Sequence, residues 1–159
     1  MKRLLIQNIG LLATPAGHEA RRGPAQGEIS MTKNAWLLAE DGVITASGTG
    51  VPPGCGTAQV LDAQGCLVTP GLVDAHTHLI FGGWRQNELG LKLHGVSYLE
   101  ILARGGGILS TVEATRAASE AALVQKALPE LETMLRWGTT TCEIKSGYGL
   151  ATEQELKQL

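Results

Sequence analysis

The chain has 159 residues, 43% of them apolar, and a formal charge of −2, the make-up of a soluble globular protein with room for a sizeable core. No basic block stands out, which argues against a nucleic-acid or membrane-surface partner, and no apolar run approaches the ~18 residues of a membrane span or follows Lys2 and Arg3 as a signal peptide would need. Cys55, Cys66 and Cys142 are odd in number and form no CxxC, so neither a disulfide framework nor a thiolate zinc site is indicated, and a reducing cytoplasm is the expected compartment.

The first part reads as β. Arg3–Ile9, Ala35–Ala39, Val43–Ala46 and Gln59–Leu61 are short apolar or alternating runs separated by turn residues. Asp41-Gly42 between two such runs predicts a tight hairpin. Thr14 to Lys33, rich in Gly, Pro and charge, is expected to be a mobile surface excursion. Residues 1–66 would therefore make a small β-sheet or β-sandwich domain that needs other chain to cover it.

From residue 67 the pattern changes. Leu67-Val68 lead into Pro70-Gly71, and Leu72-Val73 open a strand in a new layer. Ser97 is placed to cap a helix over Ser97–Ala103, and Ser110-Thr-Val-Glu113 has the spacing of a capping box that opens another. Leu123, Val124, Ala127, Leu128, Leu131, Met134 and Leu135 form an apolar stripe at helical spacing ending at Gly138, with Pro129 expected to kink or restart it. Thr139–Lys145 is rich in β-branched residues and reads as a strand, and Ala151–Leu159 begins a further helix. Strand, helices, strand, helix is the opening of an alternating α/β pattern with parallel strands. An eight-fold barrel takes ~250 residues, so residues 67–159 hold about two of its β/α units and the chain looks like the leading piece of something larger.

The chemistry concentrates at Thr69-Pro-Gly-Leu-Val-Asp-Ala-His-Thr-His78. Alternate side chains on a strand share a face, so Asp74, His76 and His78 would point the same way, with the two imidazoles at the strand's C-terminal end. Two rings so placed can each give a nitrogen to one metal ion. Asp74, one step lower, is placed either to support a ligand from beneath or to accept its free N–H. A bare HxH arises readily by chance; the longer context does not. It resembles the signature on the first barrel strand of the amidohydrolase superfamily. The resemblance implies a fold and a cofactor: the start of an amidohydrolase-type (β/α)8 barrel preceded by a small N-terminal β domain, and a bound divalent or trivalent ion, zinc or iron, which imidazole and carboxylate suit equally. A catalytic metal normally takes three protein ligands plus water, and only His76 and His78 are candidates here. His18 and His94 are expected on the surface, and Lys145 shares a face with Glu143, which favours an ion pair or a site-shaping role. The general base and the remaining ligands would lie on later strands, so no catalytic residue is assignable in this chain.

Further motifs narrow the resemblance: Phe81-Gly-Gly-Trp-Arg85, Ser97-Tyr-Leu-Glu-Ile101, Gly105-Gly-Gly-Ile-Leu-Ser-Thr111 and Glu143-Ile-Lys-Ser-Gly-Tyr-Gly-Leu150. They are similar to a branch of the superfamily that opens an imidazolone ring bearing a propanoate arm, in histidine degradation. The resemblance implies a small-molecule substrate with a carboxylate, which Arg85 can hold bidentately; without its flanking Gly-Gly-Trp, this arginine would be an ordinary surface residue. Tyr148, in the loop after the second strand, can donate its hydroxyl to the ring or the carboxylate. Tyr98 is placed to do likewise or to serve as half-buried packing. Gly105-Gly-Gly107 lacks the Lys-Ser/Thr of a phosphate loop and reads as a flexible connector, while Trp84 and Trp137 read as packing residues. The implied reaction is hydrolysis by a metal-activated water. A homodimer of a full-length enzyme is compatible with all of this. Two alternatives stay open: another amidohydrolase acting as a cyclic amidase or deaminase, and a non-catalytic short product.

Overall fold

The computed structural model describes residues 2–17, 19–54 and 56–159, so the expectations for His18 and Cys55 lie outside the described residues. Two compact units divide the chain, Met1–Pro70 and Gly71–Leu159. Among the described residues, no helix is long and apolar enough to cross a membrane.

The first unit is one sheet built from β1 (Arg3–Pro15), β2 (Ile29–Glu40), β3 (Val43–Thr49), β4 (Gln59–Asp62) and β5 (Leu67–Val68). Its order is β3-β2-β1-β4, with β5 also paired to β1. The expected hairpin is present: Glu40 faces Val43 across Asp41 and Gly42, whose φ values of 49° and 86° are the left-handed pair that a two-residue turn requires. A register shift between Ile6 and Ile9 places one extra residue in β1, beside Asn8 at φ 54°. Ile9, Leu12 and Ala35 are buried together, with Ile6, Leu37, Ala63 and Val68 packed around them.

Two expectations change here. Thr14–Lys33 is expected to be a mobile surface excursion, yet Thr14 and Pro15 belong to β1 and Ile29–Lys33 to β2, which pairs there with Leu11–Pro15; among the described residues between them is a short 3-10 turn at Gly23–Gly27. Ile29, Ser30 and Met31 are exposed there, and the short Ile-Ser-Met-Thr alternation adjoins a stretch rich in Gly, Pro and charge that reads as loop. Leu67-Val68, placed in the second part by the expected boundary at residue 67, instead run parallel to Leu11 and Leu12, so the division falls after Pro70.

In the second unit, β6 (Leu72–Thr77) and β7 (Thr139–Ile144) are parallel neighbours. Between them run α1 (Asn87–Leu93), α2 (Tyr98–Ala103), α3 (Ile108–Ala117) and α4 (Glu120–Arg136); α5 (Thr152–Gln158) follows β7. Ser97 caps α2 in a full capping box with Glu100, and Ser119 caps α4 by accepting from Ala122 N–H at 3.2 Å. The box expected at Ser110 is not one. Helix α3 already starts at Ile108 with Gly107 as its cap, and Ser110 turns back to donate to the Gly107 carbonyl at 2.9 Å. The missing cap side chain comes from elsewhere: buried Glu88 of α1 accepts the Gly107 N–H at 2.6 Å. Helix α4 runs without a break through Pro129, which is exposed on its outer side, and Leu123 and Ala127 are its buried positions. Trp137 is 79% exposed and packs against little, contrary to its sequence reading.

Candidate metal and substrate site

The histidine pair stands where β6 ends. His76 is the penultimate residue of the strand and His78 lies one residue beyond it; their ring centroids are 5.4 Å apart in an edge-to-face arrangement. His76 is exposed and His78 half-buried. Asp74 does not reach a ring nitrogen with its Oδ1, which accepts the backbone N–H of His76 at 3.1 Å and so steadies the strand just before the first imidazole. Between the histidines, Thr77 donates its hydroxyl to the Glu143 carbonyl at 2.6 Å and its own carbonyl accepts from Lys145 N–H at 2.9 Å, tying the C-terminal ends of the two strands together. Lys145 and Glu143 form the expected ion pair between their side chains.

One atom in this cluster asks for a partner. His78 Nδ1 is buried and makes no hydrogen bond. A buried ring nitrogen without a partner is costly unless a water, an ion or a ligand completes it, and an imidazole lone pair is a natural metal donor. The pair therefore fits a metal ion that takes nitrogen ligands. Among the described residues, no group of three His, Cys, Asp or Glu side chains is gathered to hold one.

The loop after β7 closes over His78. An added Cβ on Gly147 would lie 2.9 Å from His78 Cε1, so only a glycine lets the backbone come this near the ring. Tyr148 stacks edge-on against His78, with centroids 5.2 Å apart, and leans on Phe81 at 5.9 Å. Phe81 in turn meets Trp84 at 5.0 Å. Lys126 of α4 places its ammonium 3.2 Å from the centre of the Phe81 ring and 4.0 Å from that of Trp84. Its Nζ is buried without a hydrogen-bond partner, and that burial lowers the lysine's pKa, while the nearby Glu130 carboxylate opposes the shift. Gly82 presses on α3: it donates its N–H to Thr115 Oγ1 at 2.9 Å, and a Cβ there would fall 2.4 Å from the Ala114 backbone.

Arg85 follows directly, half-buried, and lines a cleft of about 320 Å³ together with Trp84, Glu88, Arg104 and Gly106. His76, His78 and Tyr148 are not in that cleft's lining. The structure thus gathers His76, His78 and Tyr148 at one place and sets Arg85 at the end of the turn that Tyr148 touches through Phe81. Tyr98 is apart from them, on the first turn of α2, with its hydroxyl 3.3 Å from a Cβ built on Gly107. His94 caps the end of α1, with Nδ1 2.7 Å from the Gly90 carbonyl.

Two residues that shape this region escaped the sequence reading. Lys126 was detectable as a charge inside the apolar stripe of α4, between the buried Leu123 and Ala127. Glu155 of α5 accepts the N–H groups of Gly149 and Leu150 at 2.8 and 2.7 Å, and nothing in its spacing announces that role.

Residues 59–141, more than half of the chain, match the amidohydrolase family, and the chain belongs to that family. Its fold has counterparts among solved structures. A crystal structure of an amidohydrolase superposes with a TM-score of 0.57 at 20% identity, over 98% of this chain and 29% of the other. The ochratoxinase of A. niger gives 0.52 at 21% identity, over 93% of this chain and 26% of that one. In sequence the chain is similar to the imidazolonepropionase of Bacillus velezensis, 50% identical over 98% of this chain and 37% of that protein. The imidazolonepropionase of Caldanaerobacter subterraneus subsp. tengcongensis is 49% identical over the same shares. The chain thus spans 37% of the length of these relatives.

Proposed function

We propose that residues 1–159 are the N-terminal part of a metal-dependent hydrolase that opens the cyclic amide of 4-imidazolone-5-propanoate to give N-formimidoyl-L-glutamate. In this reading β6 and β7 are the first two strands of a (β/α)8 barrel, and the site stands at their C-terminal ends, where such barrels carry their chemistry. The observation that carries it is the meeting of His76, His78 and Tyr148 at that end, in a chain 50% identical to an imidazolonepropionase.

His76 and His78 would hold the ion, zinc or iron, and the orphaned nitrogen of His78 is the feature that supports their fit. When bound, such an ion supplies hydroxide near neutral pH by lowering the pKa of its water. The chain's own residues bind and orient. Arg85 offers two parallel N–H donors to the propanoate carboxylate. Tyr148, fixed edge-on to His78, offers a phenolic O–H to the ring beside the metal. Tyr98, on the far side of Gly107, is the weaker candidate for substrate contact. The further ligands and the general base belong to the part of the enzyme outside residues 1–159.

The test is a comparison of substrates in the whole enzyme. Losing a hydrogen bond to a charged group costs about 1.5–3 kcal/mol. Arg85→Ala should therefore raise KM for the carboxylate-bearing ring by about 10–100-fold and leave KM for a neutral ring analogue nearly unchanged. An equal change for both substrates would remove Arg85 from the site and favour a deaminase or another cyclic amidase.

A further inference from the structure

Tyr148 sits on a five-residue loop, 146–150, that is wound tightly over His78, and its backbone is not at rest there. Leu150 has φ 52°, in the left-handed region that L side chains rarely adopt. Something must hold the loop in this shape. One Glu155 carboxylate oxygen, Oε1, accepts two consecutive backbone N–H groups, Gly149 at 2.8 Å and Leu150 at 2.7 Å. Burial pushes the Glu155 pKa up, yet hydrogen bonds from Leu150, Ser146, Gly149 and Gly147 outweigh it and hold the carboxyl below its usual range. Four of the five loop residues thus converge on one carboxylate.

The loop and the helix that carries Glu155 are both fastened to α3. Arg116 of α3 donates Nε to the Gly149 carbonyl at 2.6 Å. Lys157, two residues beyond Glu155 on α5, donates Nζ to the carbonyls of Thr115, Arg116 and Ala118, each at 3.0 Å. Those carbonyls end the same helix whose Thr115 hydroxyl accepts from Gly82 in the Phe81–Arg85 turn. Gly149 is pressed against α5 so closely that a Cβ would fall 2.6 Å from the Gln154 carbonyl carbon. Helix α3 is therefore the common base to which both the turn before Arg85 and the loop carrying Tyr148 are fastened.

We propose that Glu155 is a positioning residue: its negative charge gathers the N–H groups of loop 146–150 and so sets where the Tyr148 phenol stands over His78. The proposal touches no substrate directly and rests on the reading above only where it gives Tyr148 a role in binding. Glu155→Gln keeps the shape of the side chain and removes the charge. Charge-assisted bonds to backbone N–H are about twice as strong as neutral ones, so the loop should loosen while the helices stay.

The experiment uses the whole enzyme. Amide hydrogen exchange at Gly149 and Leu150 should speed up by about tenfold or more in E155Q, with exchange at Ile101, buried in α2, unchanged as the control for folding. KM for the substrate should rise about tenfold, and the double-mutant cycle should show why: on a Tyr148→Phe background the same substitution should add less than twofold. A merely structural glutamate would instead add its full effect. Leu150→Gly, which relieves the left-handed strain, should restore part of the loss in E155Q, and Glu155→Asp should fall between the two. Unchanged exchange at Gly149 and Leu150 overturns the proposal whatever the activity does, and so does full additivity with Tyr148→Phe. If Tyr148→Phe alone leaves KM unaltered, the substrate role given to Tyr148 fails, while exchange still decides whether Glu155 holds the loop.

Discussion

In the first unit the long strand β1, paired antiparallel to β2, buries Leu5, Ile9 and Leu12. In the second, β6 leaves Leu72 and Val73 exposed and buries none of its six residues, although it is paired with β7. The two units also differ in connection. β2 meets β3 through the two-residue turn Asp41-Gly42, as antiparallel neighbours can. Parallel strands need long crossovers: Leu72 meets Thr139 only after four helices. Each unit buries apolar residues, Leu5, Ile9, Leu12, Ala35 and Leu38 in the first and Leu79, Ile101, Val112, Leu123 and Ala127 in the second, but in the second they lie outside β6. The candidate site residues, His76, His78, Arg85 and Tyr148, are all in the second unit. Specific polar and ring contacts, through Thr77, Glu155, Arg116 and Lys126, steady the segments that carry them.

That contrast can be broken by substitutions whose effects fall on one unit or the other. The largest effect is expected at the imidazoles. His76→Ala or His78→Ala in the whole enzyme should lose the bound ion and lower turnover by more than the ~100-fold typical of removing a supporting residue, without moving the thermal transition of the β unit. Full metal content and turnover in either variant, measured by elemental analysis and initial rates, would dissolve the site. Ile9→Ala is the counterpart in the first unit. Ile9 is 0% exposed, and emptying such a position costs about 2–5 kcal/mol, readable as a lowered urea midpoint. Metal affinity should hold; a parallel fall in affinity would show that the site depends on the β core. Gly147→Ala is milder, since it removes no imidazole, although its Cβ would stand 3.2 Å from His78 Nδ1. The new methyl must displace the His78 ring, and metal affinity should drop by about 10–100-fold, the range for disturbing a ligand's support, with no change in Ile9 exchange.

How much of this was legible follows the same division. The Asp41-Gly42 hairpin could be read because both left-handed positions carry residues that tolerate them. The histidine pair could be read because residue type and alternation place it at a strand end, and the Ser97 cap because its partner Glu100 is three residues away. Signals failed where the partner is far off in sequence. The first half of β2 pairs with β1 but adjoins a Gly-, Pro- and charge-rich stretch, and its Ile29 and Met31 are exposed. The start of α3 was misplaced because its cap side chain is Glu88, 19 residues from Gly107. Glu155 is silent in sequence for a related reason: its work is to receive backbone N–H groups from a loop whose shape only the fold defines. Lys126 is the intermediate case, an anomaly visible in the stripe whose ring partners could not be foreseen.

The smallest effect expected is at the Ser97–Glu100 box, and it separates local from tertiary order within the second unit. The Glu100 carboxyl lies below its ordinary value of 4.5, chiefly because it accepts the Ser97 backbone N–H, at 3.0 Å, and then the Ser97 hydroxyl, at 2.9 Å. A carboxyl whose folded pKa is depressed stabilises the fold above its unfolded pKa, and that contribution fades as pH falls through the folded value. The first turn of α2 should therefore loosen in acid below about pH 4.5 and stay firm above it. Glu100→Gln should abolish the pH dependence while keeping much of the helix, because Ser97 Oγ still accepts the Glu100 N–H position at 3.3 Å. Following the Ser97 amide resonance from pH 7 to 3 checks this. A Ser97 titration that persists in E100Q would assign the acid sensitivity to another carboxylate. An unchanged Ile101 amide over the same range would show that the buried face of α2 is held by packing beyond its cap.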